Sequence, residues 1–260
     1  MPRSLRRLRR SLGALLTCSG LALGVLSLPN AAQAQQASIP SPALLADLQK
    51  ALGSGGASLS ELLRDGPGLQ PALVELRRRT LLTQFPDASW TLTPGPRLRD
   101  GRSTVELRLQ GTHRQNGSTF RLDASQQLAL TSSDGHITGQ SVLREQSILR
   151  SGDTDLGVTL QIPDVVLTGQ RYDVDVVFDE PLNGAVIAGG LLAITPSQTR
   201  AMEAPRLELG ALGGGGLFKT VQAPYSPGEQ TWAVLLVHPK GIVTATKRVR
   251  VVADRAQLTP

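Results

Sequence analysis

The sequence predicts an α+β fold: an N-terminal module of helices on a curved antiparallel sheet, then a C-terminal all-β sandwich. Three observations predict it. Helix start and stop signals crowd into residues 41–84. Alternation of apolar and polar residues takes over from Trp90 onward. Two dipeptides that tolerate positive φ, Asn116-Gly117 and Asp134-Gly135, separate alternating runs as hairpin turns do.

The first segment lies outside this fold. Arg3, Arg6, Arg7, Arg9 and Arg10 form a basic start, residues 12–28 are mostly apolar, and Ala32-Gln33-Ala34 follows. Basic, apolar, then small-x-small is the pattern of a secretory signal peptide, with cleavage expected after Ala34. Cys18, the one cysteine, opens a second reading as a lipid anchor. Thr17 before it and the apolar run continuing from Leu21 to Leu28 favour a cleaved leader that carries Cys18 away. An uncleaved anchor is a third reading, from a run at the short end for spanning a bilayer. Arg9-Arg10 also weakly resembles a twin-arginine export signal. The expected destination is periplasmic or extracytoplasmic, or a thylakoid lumen in a photosynthetic host.

Cleavage changes the charge. The whole chain has 27 basic and 21 acidic residues, a formal +6; losing five arginines leaves 22 against 21, or +1. The high isoelectric point is therefore no warrant for a nucleic-acid partner. Four Phe, two Tyr and two Trp provide few stacking platforms. Without Cys18 no disulfide or thiolate metal site is expected.

The elements follow in order. Residues 35–41 read as a polar linker. Ser41-Pro42 starts a helix, with Leu44, Leu45, Leu48 and Leu52 on one face. Ser58 and Glu61 fit a capping box for a short second helix. Pro71 opens a third, with Leu73, Val74, Leu76 and Leu81 on one broad side. Arg78 and Arg79 lie off that side, while Arg77 must snorkel along it. The triplet reads as a solvated helix face or an anion patch. Strands are expected at 90–93, 105–109, 120–130 and 137–149.

Phe85-Pro86-Asp87-Ala88-Ser89-Trp90 after the third helix, Gly111-Thr112-His113 at a strand end, and Asp134-Gly135-His136-Ile137 before the last strand resemble, in that order, elements of the nuclear transport factor 2-like superfamily, in particular its polyketide-cyclase-like (SnoaL-like) branch. The resemblance covers about residues 42–150. It implies a cone in which sheet and helices enclose a pocket, with Trp90, His113 and Glu145 near it, and it implies dimerisation through the sheet. Glu145 in an apolar cone could serve as a general base with His113 orienting a substrate. The plain alternatives are a strand-end surface histidine and an exposed strand charge beside Arg144.

From about Val158 the pattern is strand throughout: 159–162, 172–178, 186–194, 207–209, 217–220, 232–237 and 242–252. About seven strands in under a hundred residues suggest an immunoglobulin-like sandwich at 155–253, with a tail at 254–260. The stretch 213–252 also resembles the end of a group of exported bacterial proteins that join such a sandwich to a nuclear transport factor 2-like module. Asp173, Asp175, Asp179 and Glu180 fit a solvated face better than a calcium site. Gly213–Gly216 lacks the Lys-Ser/Thr of a phosphate loop. Three scattered histidines have no metal spacing, and no Gly-x-Ser-x-Gly anchors a hydrolase triad. No cofactor or metal is expected.

Two functions follow as expectations. One is an exported, non-catalytic envelope protein that binds a small apolar ligand or a protein segment in the cone, with the sandwich as scaffold or partner surface. The other is an isomerase, cyclase or dehydratase using His113 and Glu145. No nucleic-acid partner, no membrane integration after cleavage and a homodimer complete the picture.

Overall fold

The computed structural model describes residues 39–53, 58–152, 156–179, 185 and 187–258. The expected leader, with Cys18 and the Ala34 cleavage point, lies outside the described residues. So do residues 35–38 of the linker, residues 54–57 and the 180–184 turn.

The three expected helices form where their caps place them. Helix α1 spans Pro42–Leu52, and Ser41 Oγ accepts from the Leu44 amide at 3.1 Å. Helix α2 is one turn, Leu59–Leu62, with both halves of the Ser58/Glu61 capping box formed. Helix α3 is Pro71–Gln84, with proline at its start. Four antiparallel strands follow: β1 (Ser89–Arg97), β2 (Ser103–Gln115), β3 (Ser118–Ser133) and β4 (His136–Ser151). The turns between β2 and β3 and between β3 and β4 hold Asn116-Gly117 and Asp134-Gly135, all four residues at φ between 51° and 78°. Leucines from α1 and α2 meet Leu107, Leu128 and Ile137 of the sheet in one apolar core.

The rest is strand and one short helix: β5 (Val158–Gln161), β6 (Val165–Leu167), β7 (Arg171–Phe178), β8 (Ile187–Ile194), α4 (Pro196–Ala201), β9 (Gly210–Leu212), β10 (Gly216–Gln222), β11 (Gly228–His238) and β12 (Gly241–Val252). Strand β6 and helix α4 were not expected. Residues 207–209 are not a strand; the short strand lies three residues later, at β9.

The expected α+β class, with a cone-shaped helical module beside a separate sandwich, is corrected by this architecture. Among the described residues 55% are strand and 18% helix. One sheet of nine strands runs in the order β1-β2-β3-β4-β12-β11-β8-β9, with β6 parallel to the end of β12. The second sheet, β10-β7-β5, lies over the C-terminal part of the first through Val174, Val176, Leu236 and Val249.

The physical reason is strand length. Strands β3 and β4 have 16 residues each, about 50 Å at the usual rise. Helices of 11, 4 and 14 residues cover only part of that surface. The far end of β4 would be an open edge, and β12 takes it: Gln146 pairs with Lys247, and the register continues to Ser151 with Ile242.

Candidate functional site

The seam between β4 and β12 is polar on its helix side, while on the other face Ile148, Val243 and Ala245 join the core under the second sheet. Along β4, Glu145 and Ser147 share a phase with Leu149, so they face the helices. Ser147 Oγ and Thr246 Oγ1 lie 2.6 Å apart across the seam. One step further, Glu145 Oε2 is 2.6 Å from Arg248 Nε, and both side chains are 3% exposed. Arg248 Nη1 also lies 2.7 Å from Glu229 Oε1 at the rim. From β3, Gln126 Nε2 donates to Glu145 Oε1 at 2.8 Å. From α3 comes Arg77, 2% exposed, and none of its three side-chain nitrogens has a hydrogen-bond partner among the described residues.

Burial pushes the Glu145 carboxyl up, against the pull of Arg248, Gln126 and Arg77. Burial also works against the Arg248 charge, but Glu145 and Glu229 outweigh it and push its guanidinium up. The two directions oppose each other. The pair is best taken as ionised at neutral pH, since arginine keeps its proton and only a carboxylate neutralises it. Burial lowers Arg77 to about 10; Glu145 opposes the shift and Arg248 adds to it.

The expected site residues do not converge. His113 is half-buried near the end of β2, its ring edge-on to Phe85 at 6.2 Å. The sheet register places Glu145 opposite Gln126, and Gln126 opposite Leu107. His113 is six residues further along β2, about 20 Å away. Trp90, on β1, is buried in the core and pairs with Leu109 on β2. The motifs behind the resemblance do pack together: Asp87 Oδ1 accepts from the Thr112 amide at 2.8 Å. A Cβ on Gly111 would lie 3.0 Å from Phe85 Cβ. They form a local brace between the end of α3 and the end of β2.

The apolar interior under the helices is nearly full. The space left among Leu52, Leu107, Leu128 and Ile137 is about 30 Å³, room for roughly a water. A larger cavity, about 270 Å³, opens on the opposite face of the sheet. It is lined by Glu106, Ser125, Gln126, Gln127, Arg144, Glu145, Gln146, Asp164 and Lys247, so Glu145, unlike His113 and Trp90, does border a pocket. Asp164 Oδ2 is 2.9 Å from Arg144 Nε, and Asp164 also pairs with Lys247.

Other features resolve plainly. Asp173 and Asp179 accept from Thr220 and Thr159 on neighbouring strands. No group of acids, histidines and cysteines among the described residues could hold a metal. His238 lies in the β11–β12 turn, where its Nδ1 accepts from the Lys240 amide. Arg78 donates to the Leu52 and Gly53 carbonyls, tying α3 to the end of α1.

Fold and site together define a mostly β protein with a charged, buried seam and a polar pocket beside it. Residues 153–252, from just after β4 to the end of β12, match the model of a family described as Domain of unknown function (DUF8623). No curated protein matches the chain.

Proposed function

We propose that this is an exported, non-catalytic binding protein of the cell envelope. One observation carries the non-catalytic part. Glu145, the acid expected to act as base, is clamped by Arg248 and Gln126, and His113 lies about 20 Å from it. A general base must reach its proton through a hydrogen bond or one water, and no single small substrate spans these two groups. The nearly filled interior gives an apolar ligand little room, so the polar pocket is the stronger binding candidate. Export is supported by the basic, apolar, Ala-x-Ala start. No helix among the described residues is long and apolar enough to cross a membrane. A homodimer belongs to the same proposal; Phe218, 66% exposed on edge strand β10, is a self-association surface of the right kind.

The test is mass spectrometry of the protein purified from its native envelope fraction. The expected result is an N-terminus at Gln35 and a co-purified small polar molecule. Lipid on Cys18 would overturn the cleaved leader, and turnover lost in both His113→Ala and Glu145→Gln would overturn the non-catalytic reading. A clean monomer by light scattering at high concentration removes the dimer.

A further inference from the structure

We propose that the 270 Å³ pocket is a site for a small zwitterion of the α-amino acid or dipeptide class. The proposal rests on the binding reading above and specifies what is bound.

Two cross-strand rows make the pocket floor. Glu106, Gln127 and Arg144 stand opposite one another on β2, β3 and β4; Ser125, Gln146 and Lys247 form the next row on β3, β4 and β12. Residues directly opposed in antiparallel strands project to the same face. Neighbouring Gln126 and Glu145 also border the pocket, but they are tied to each other by a 2.8 Å hydrogen bond and Glu145 to Arg248.

The floor is electrically polarised. Arg144 and Lys247 stand at one end and share the single carboxylate of Asp164. That end keeps one net positive charge. Glu106 stands at the other end, two strand spacings from Arg144, about 10 Å between backbones, and has no ion-pair partner among the described residues.

Gln127 lies between the two poles. It is 4% exposed, and its Oε1 has no hydrogen-bond partner among the described residues. A buried carbonyl oxygen without a donor is costly, and a donor on a ligand removes the cost once the Gln127 amide turns toward the pocket it borders. The arrangement asks for an anion at the Arg144–Lys247 end and a hydrogen-bond-donating cation between Gln127 and Glu106. A carboxylate and an ammonium on one small molecule supply both. A simple anion would meet Glu106, and a simple cation would meet Arg144 and Lys247. A neutral sugar could satisfy Gln127 but neither charge, and no aromatic residue lines the pocket for its ring. The volume lies just under the usual range for drug-sized ligands, in keeping with a smaller guest.

Isothermal titration calorimetry on the full chain without its first 34 residues tests this. The panel is glycine, alanine, glutamine, glycylglycine, acetate, methylammonium, glucose and inorganic phosphate. At least one zwitterion is expected to bind at millimolar or lower concentration, and acetate and methylammonium at least tenfold more weakly. Glu106→Gln and Gln127→Leu should each weaken zwitterion binding about tenfold or more. Glu106→Gln is close in shape and keeps the strand position, and circular dichroism confirms that each variant is folded. Equal binding of acetate or glucose, or unchanged affinity in folded Glu106→Gln, overturns the proposal. If no panel zwitterion binds while a co-purified molecule of other chemistry is found, the zwitterion class falls and the binding reading stands. If neither is found, both fall.

Discussion

Glu145→Met removes the carboxylate that two buried guanidiniums face. In the wild type Arg248 lies 2.6 Å from it with both side chains almost wholly buried, and Gln126 adds a 2.8 Å hydrogen bond. After the change Arg248 keeps Glu229, whose side chain is 38% exposed and so screened by solvent. Arg77, already without a hydrogen-bond partner among the described residues, also loses its nearby negative charge. Arginine cannot shed its proton to escape. Removing one partner of a buried pair typically costs about 3–5 kcal/mol. At about 2–4 °C per kcal/mol for a chain of this size, the Tm should fall by roughly 6–20 °C. Urea denaturation at pH 7, followed by the fluorescence of buried Trp90 and Trp232 and by circular dichroism, measures the loss. The double variant Glu145→Met/Arg248→Met removes a positive charge along with the negative one and should be more stable than Glu145→Met alone. A loss below about 1 kcal/mol, the scale of an exposed ion pair, would refute the reasoning. So would single-variant losses that simply add in the double variant.

Three further outcomes are expected. Glu145→Gln, close in shape but neutral, leaves Arg248 and Arg77 facing an amide and should lower the denaturation midpoint at pH 7. Gly117→Ala and Gly66→Ala should differ in kind. Gly117 has φ 78° in open space and should cost only about 1–2 kcal/mol of backbone strain, whereas a Cβ on Gly66 would lie 1.8 Å from the Thr138 carbonyl oxygen and should shift α2 off β4, seen as faster amide exchange at Arg64. Leu236→Ala, in the fully buried core between the two sheets, should cost about 2–5 kcal/mol by urea denaturation without changing binding in the polar pocket.

The parts legible in the sequence are those governed by neighbours in the chain. Ser41, Ser58 and Glu61 cap helices through bonds spanning two or three residues. Asn116-Gly117 and Asp134-Gly135 turn the chain because their own φ values permit it. Alternation around Leu107 gave the inward face of β2 but not the partner of β4, because a period of two specifies a face and not a neighbouring strand. Glu145 therefore looked like a surface charge beside Arg144, while its partner Arg248 sits about a hundred residues away. Two signals for the seam were present. Glu145 shares the phase of Leu149, and Arg77 shares the apolar side of its helix. Only the pairing of β4 with β12 explains how both stay charged and buried. The pocket was hidden for a related reason: its floor combines residues from four strands, and no short motif contains them.

The pairing of β4 with β12 also sets an order of events. Strand β4 is complete at residue 151, but the strand that covers its end is 241–252, about ninety residues later. A chain made or translocated from its N-terminus holds a bare strand edge until those later residues have passed. Such edges recruit other chains. Holding at that stage, by a chaperone or by a delay in folding of the segments up to β4, would keep the edge free for β12. Glu145 and Ser147, costly to bury early, favour that delay until Arg248 and Thr246 arrive.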